Sequence, residues 1–272
     1  MKDNSTLNRL PMMKDMLILL FLIQSVRSQS LDDLLGAGTL PETDRLTFSN
    51  TARWDAVHLK WLRHRPEFLP LDWKEKIVLP APPDNSSDRT RAELKLLIEK
   101  KKDREARLPG IKNDLELANF RFGRFTYGKL TKEPDFAKTG ALMKSMYSSV
   151  SCAIFTKKKQ FNRARPTVVA AKLGIDLDAV IPNPGHPAYP SGHATGAFAI
   201  AFFLAELDPE NGETYLADAR RIAENREIAG VHYPSDSEAG RLLARQLVDA
   251  FLRDRSFRAL LDMARAEWPN DK

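Results

Sequence analysis

A chain of 272 residues, 43% hydrophobic and 29% charged, can bury a full core and has the balance of a folded globular protein, not of a disordered or membrane-bulk chain. Its 42 basic and 36 acidic residues leave a net charge of +6, and the basic runs Lys100–Lys102 and Lys157–Lys159 are too short for a nucleic-acid arm, which excludes nucleic acid as a main partner. The single cysteine, Cys152, excludes an intrachain disulfide and a thiolate zinc site and is expected to be a small buried side chain.

Residues 1–28 have the pattern of an export signal. Lys2, Arg9 and Lys14 precede the apolar run Met16–Ile23, and Val26-Arg27-Ser28 offers small residues at the positions that flank a cleavage site. The run is shorter than the ~20 residues that span a bilayer, so no membrane span is expected after cleavage. A buried first helix and an uncleaved anchor are the competing readings. Export places the protein in the periplasm or outside the cell, with residues 29–272 as one domain.

Further along, Asp32–Gly36 and Trp54–Arg65 carry short helical periodicity, and Trp54, Val57 and Trp61 share a face expected in the core. His58 and His64 read as structural or surface residues. Leu79-Pro-Ala-Pro-Pro83 is a stiff extended connector, since clustered prolines cannot continue a helix. Asn85 to Asp88 supply candidate caps for a helix running to about Arg107, with Leu94, Leu97 and Ile98 as its apolar stripe and Pro109-Gly110 as its end. Residues 111–155 read as further helix, dense in Phe, Met and Leu. No repeat and no clean strand alternation appears, and the fold reads as all-α, a single-domain bundle of many helices.

Three clusters then follow in order. Lys158 precedes Arg165-Pro166 by seven positions, and the proline pushes Arg165 out of the helical region. Pro190-Ser191-Gly192-His193 follows a proline-rich loop and opens an apolar helix to Leu207, which puts free amides at a helix N-terminus, where phosphate is favoured. Gly192 leaves room for close approach. Arg226, His232 and Asp236 form the third cluster, on a helix beginning near Glu213, with His232 and Asp236 four apart, a spacing at which a carboxylate can hold an imidazole. A solvated basic face and a structural His–Asp pair are the bland alternatives for the first and third clusters taken singly. Together, three cations, a Ser-Gly turn, two imidazoles and a carboxylate suit a tetrahedral oxyanion. His186 lies near the same region and is left outside the catalytic set.

These motifs, K-x6-RP, PSGH and R-x5-H-x3-D, resemble those of the PAP2 superfamily, which holds bacterial class A acid phosphatases, lipid phosphatases and vanadium haloperoxidases. The proline connector and the polar helix after it also resemble the class A enzymes. The resemblance implies a phosphate-monoester hydrolase that needs no metal and no cofactor. His232 is then the nucleophile, His193 the general acid and base, and Asp236 the group that orients His232. Lys158, Arg165, Ser191, Gly192 and Arg226 hold the phosphate. Asn225 stands where family members carry Ser, which puts a local contact in question. The alternative is a vanadium-dependent haloperoxidase holding vanadate in the same pocket; a metal hydrolase on His186, His193, His232 and Asp236 lacks a tight ligand motif. Small phosphate monoesters are the expected partners. The sequence does not read out the individual substrate, phosphotransfer to alcohols, or whether the chain forms a homo-oligomer.

Overall fold

The computed structural model describes residues 41–268. The export-signal reading of residues 1–28 and the pattern at Asp32–Gly36 lie outside them. The architecture is all-α. Single turns at Pro41–Asp44, Phe48–Thr51, Ala56–Leu59 and Trp73–Lys76 lead into α1 (Asp88–Glu99), α2 (Arg104–Asn113), α3 (Ala137–Phe161), α4 (Pro166–Lys172), α5 (Gly192–Leu207), α6 (Gly212–Ile228), α7 (Pro234–Arg253) and α8 (Arg255–Arg265). Among the described residues no helix is long and apolar enough to cross a membrane.

Helix α5 is the axis of the bundle because it is apolar on every face. Ala194, Ala197, Phe198, Ile200, Phe203 and Leu204 are all buried, and past its first turn only Phe202, Ala205 and Glu206 are partly exposed. It packs against α3, α6 and α7, and α8 closes the end of the core against α3. Close approach sets the register of α5 and α7: a Cβ on Gly240 would lie 2.9 Å from the Ser191 carbonyl oxygen and from the Ala194 Cβ. Cys152 is a free, buried thiol of this core, as its isolation in the sequence predicts.

The ends of the helices carry the residues of interest. Helix α3 stops at Asn162, whose left-handed φ of 49° is a conformation asparagine tolerates. Helix α4 starts with Pro166 in its first position, and Arg165 before it is extended at φ −74° and ψ 152°. Ser191 caps α5, its hydroxyl accepting the Ala194 amide at 3.4 Å. Helix α6 closes in a Schellman arrangement: Gly230 N–H donates to Glu227 O at 2.8 Å and Val231 N–H to Arg226 O at 3.2 Å. Gly230 has φ +81°, and this turn aims the following residues, His232 among them, back into the bundle.

Several expectations are corrected. Ser87 caps α1, accepting the Thr90 amide at 3.2 Å, but the helix gives way to a 3-10 turn at Lys100–Asp103. Pro109 lies inside α2 rather than ending it. Tertiary anchors hold that helix through the proline: Ile111 is fully buried, and Arg107 Nη2 donates to Asn225 on α6 at 2.6 Å. Residues 111–155 are not continuous helix. A hairpin of β1 (Arg121–Phe122) and β2 (Phe125–Thr126), paired Arg121 to Thr126 and Phe122 to Phe125, interrupts them, with Gly123 at φ +56° making its turn. Trp54 and Trp61 are half-buried and Val57 is exposed, so that face is a lid on the bundle rather than part of its core. His232 and Asp236 do not share a helix, since His232 follows the end of α6 and Asp236 sits in the first turn of α7.

Replacing Gly230 by Ala forces a side chain into left-handed backbone and puts its Cβ 2.5 Å from the Asp178 carbonyl oxygen. A loss of about 1–3 kcal/mol is expected. Thermal melting checks it: a melting temperature several degrees below wild type is the predicted result, and an unchanged one would remove the turn from this account.

Candidate active site

The three clusters converge. Lys158, near the end of α3, is fully buried and donates from Nζ to the carbonyls of Pro187 at 2.7 Å and Ala188 at 3.1 Å. It therefore holds the loop that leads into α5. Arg165 donates from Nη1 to Val231 O at 2.7 Å and approaches His232 Nε2 at 3.1 Å. Its Nη2 donates to His186 O at 2.8 Å and meets His186 Nδ1 at 3.0 Å. Arg226 is buried on α6, and its Nη1 finds no hydrogen-bond partner within the protein. A buried guanidinium N–H without an acceptor is costly unless a ligand supplies one.

His232 is held by Asp236. The imidazole Nδ1 lies 3.1 Å from Asp236 Oδ2, which also accepts the Tyr233 amide at 3.0 Å. The other oxygen, Oδ1, accepts Arg163 Nη1 at 2.7 Å. An ionised carboxylate here accepts only, so Nδ1 carries the proton and Nε2 presents its lone pair. The same residue binds the second cluster, because its carbonyl accepts the Ser191 amide at 2.9 Å. His193 stands in the first turn of α5, tilted against Phe120 with ring centroids 5.6 Å apart. Ser191 is buried with its hydroxyl engaged as a cap, which leaves its proton free to donate. A methyl group on Gly192 would meet only Ile154 at 3.5 Å and Lys158 at 3.7 Å. The protein's own packing does not require glycine there, so the open side faces the cavity that Gly192 lines.

The charges fix the protonation states. Burial lowers the Lys158 ammonium well below its ordinary range, and the Arg165 charge lowers it further. Burial likewise brings Arg165 to about 9 and Arg226 to about 10. His232 is lowered well below 6.5 by burial and then by Arg165, against the pull of Asp236. His193 falls to about 3 through burial, Arg226 and Lys158. Burial opposes the charge on Asp236, but Arg163 and His232 overcome it and hold its carboxyl far below the usual range. Three cations thus face one another with Asp236 already committed to Arg163 and His232, a field suited to an oxyanion with more than one negative charge. Among the described residues no group of three or more His, Cys, Asp or Glu side chains converges as metal ligands.

Residues outside the predicted set complete the site. Arg163, two before Arg165, is buried, pairs with Asp236 and Glu93, and stacks 3.9 Å over the Tyr233 ring. Glu93 on α1 in turn accepts the Ser235 amide at 2.9 Å and its hydroxyl at 2.8 Å. The repeated Arg-x-Arg-Pro was the available signal for Arg163; nothing local marks Glu93. His58 is not a bland surface residue, since it lines the cavity with His186, Phe155, Lys158 and His193. Asn225 accepts from Arg107 and donates to Asp114 at 2.6 Å, tying α2 to α6 just before Arg226.

Because the folded carboxyl of Asp236 titrates below its unfolded value of ~3.9, its contribution to stability is complete above that value and is lost as pH falls beneath it. Melting temperatures from pH 5 to pH 2.5 are expected to fall more steeply for wild type than for Asp236→Asn. Parallel curves would contradict the buried-carboxylate assignment.

Residues 140–258 match the profile of the PAP2 superfamily. A non-specific acid phosphatase of Providencia stuartii is 29% identical over 146 residues, 52% of this chain and 58% of that one. An acid phosphatase of Zymomonas mobilis is 35% identical over 79 residues, 29% of this chain and 30% of that one. The matches therefore span less than two thirds of the length of these relatives. A bacterial vanadium-dependent iodoperoxidase has a similar fold, with a TM-score of 0.57 and 19% identity over 77% of this chain and 61% of that chain. Lys158, Arg165, Ser191, His193, Arg226, His232 and Asp236 all fall inside the span that matches the PAP2 superfamily profile.

Proposed function

We propose that the protein is a phosphate-monoester hydrolase working through a phosphohistidine on His232. The observation that carries this reading is the buried trio Lys158, Arg165 and Arg226 beside an imidazole that burial and Arg165 keep neutral and that Asp236 orients, with Nε2 turned toward Arg165. In the proposed reaction, phosphate oxygens take over the Arg165 N–H now directed at His232 Nε2 and the unpartnered Arg226 Nη1. Nε2 then attacks phosphorus, the bond to the ester oxygen breaks, and His193 gives that oxygen its proton. In the second step water, deprotonated by His193, attacks phosphorus, the phosphorus–nitrogen bond breaks with its electron pair returning to His232 Nε2, and phosphate leaves. Asp236 accepts the hydrogen bond of an imidazole that becomes cationic as the intermediate forms. The lysine and arginine cations supply the electrostatic stabilisation a metal ion would otherwise give, so the proposal includes metal independence. The two relatives named as acid phosphatases support the reaction class. The basic and apolar pattern of residues 1–28 supports export to the periplasm or beyond.

His193 is neutral in a pocket of cations, yet the first step needs its proton. Bound phosphate dianion cancels the charges of Arg226 and Lys158 that depress it, so binding raises its pKa. Imidazole resonances of His193, followed by NMR from pH 3 to pH 8, are expected to titrate near the low value alone and distinctly higher with saturating vanadate. No movement would remove His193 as the acid. Turnover is expected to peak at mildly acidic pH, and a maximum above pH 8 would count against these roles.

Hydrolysis of p-nitrophenyl phosphate in excess EDTA tests the reaction itself. The full chain is expected to turn over undiminished, with vanadate as a competitive inhibitor, and His232→Ala to lose roughly three orders of magnitude or more. Equal rates in both proteins would displace His232 as the nucleophile, and chelator-sensitive activity would displace the metal-free mechanism.

A further inference from the structure

The phosphate-facing end of the site opens into a cavity of about 160 Å³, bounded there by Lys158, Gly192 and His193. A dry cavity of roughly 150 Å³ is large enough to take a benzene ring. Its other walls are Leu115, Leu117, Phe120, Ile154 and the rings described next, joined by Tyr147 and Ser151. Among the described residues lining it, Lys158 is the only lysine, and there is no arginine or carboxylate.

Three rings from distant parts of the chain form the mouth. His58 stacks face to face on Phe155, with centroids 4.8 Å apart and planes at 18°. His186 stands edge-on to both, 4.8 Å from His58 and 5.4 Å from Phe155. Their positions are fixed from outside the cavity. The Asp55 amide donates to Gly185 O at 2.8 Å, which ties the turn carrying His58 to the loop carrying His186. Trp54 packs against the ring of Phe155 at 6.3 Å, and Arg165 binds His186 from the phosphate side. Burial and the neighbouring cations, against the pull of Asp55 on His58, keep His58 and His186 below the ordinary histidine range, so the three rings are uncharged near neutral pH.

A leaving group rich in hydroxyls would set them against leucine and phenylalanine walls with few partners, and a second phosphate would sit beside the exposed Asp55 carboxylate, 4.0 Å from His58. A flat apolar group instead gains ring contacts on several sides. We infer that the collar of His58, Phe155 and His186 binds the leaving group and selects aryl or arylalkyl phosphate monoesters over phosphorylated polyols and bisphosphates. The inference rests on the phosphate-monoester reading above.

Phosphonates test it without turnover. Calorimetry on the full chain would compare inorganic phosphate, ethylphosphonate, 2-phenylethylphosphonate and 3,4-dihydroxybutylphosphonate. The phenylethyl compound is expected to bind about tenfold or more tighter than the ethyl one, and the dihydroxybutyl compound no tighter than ethyl. Phe155→Leu, which keeps bulk and loses the ring stack, and His58→Ala are each expected to bring the phenylethyl-to-ethyl ratio toward one. Equal affinities in wild type, a preference for the dihydroxy compound, or a ratio untouched by both substitutions would overturn the collar. Failure to bind phosphate or any phosphonate would overturn the phosphate reading itself, a different result.

Discussion

The carboxylate of Asp236 is the constraint on which the rest of the site depends. One buried group orients His232 through Oδ2, accepts Arg163 through Oδ1, and caps the first turn of α7 through the Tyr233 amide. Its backbone carbonyl receives the Ser191 amide at the start of α5. A side chain three residues into a helix is also well placed for the positive end of the helix dipole. Removing that charge would leave Arg163 buried without its closest partner, and a buried ion that loses its partner is among the costlier defects a fold can carry. Position and chemistry are thus set by the same atoms.

The cations present the opposite situation. Lys158 and Arg165 spend their N–H groups on carbonyls of the 186–188 loop and of Val231, so the bundle holds them rigidly although burial disfavours their charge. Arg226 keeps its Nη1 without an acceptor. Repulsion among these groups is an energy the fold carries, tolerated because α3, α5, α6 and α7 pack tightly around an apolar axis. An anion that enters relieves it. Binding and catalysis in the proposed mechanism draw on that preorganised field rather than on rearrangement. The aromatic mouth fits the same picture, since an uncharged wall leaves the cations to act on the phosphate alone.

Much of this was legible in the sequence. The three motifs carry their own local backbone: Pro166 forces Arg165 out of the helix, the proline-rich loop isolates Ser191 at a cap, and the apolar run after His193 marks the central helix. The parts that were not legible depend on contacts across long sequence distances. Glu93 reaches Ser235 from 142 positions away, and no local pattern distinguishes it from Glu99, the exposed glutamate of the same helix. His58 looked bland because its role comes from meeting Phe155 and His186 in space. Pro109 misled for the same reason: local chemistry predicts a stop, and the anchoring of Arg107 on Asn225 together with the burial of Ile111 overrides it. Residues 111–155 read as helix from their density of Phe, Met and Leu, whereas Gly123 turns residues 121–126 into a hairpin whose Phe122 is buried.

The central claim is the covalent step on His232, and trapping the intermediate tests it most directly. Enzyme quenched in base during turnover of an aryl phosphate, then digested and mapped by mass spectrometry, is predicted to carry a phosphoryl group on the peptide containing His232, at nitrogen Nε2. Steady turnover with no adduct under those conditions, or an adduct on His193 or His186 instead, would contradict the account.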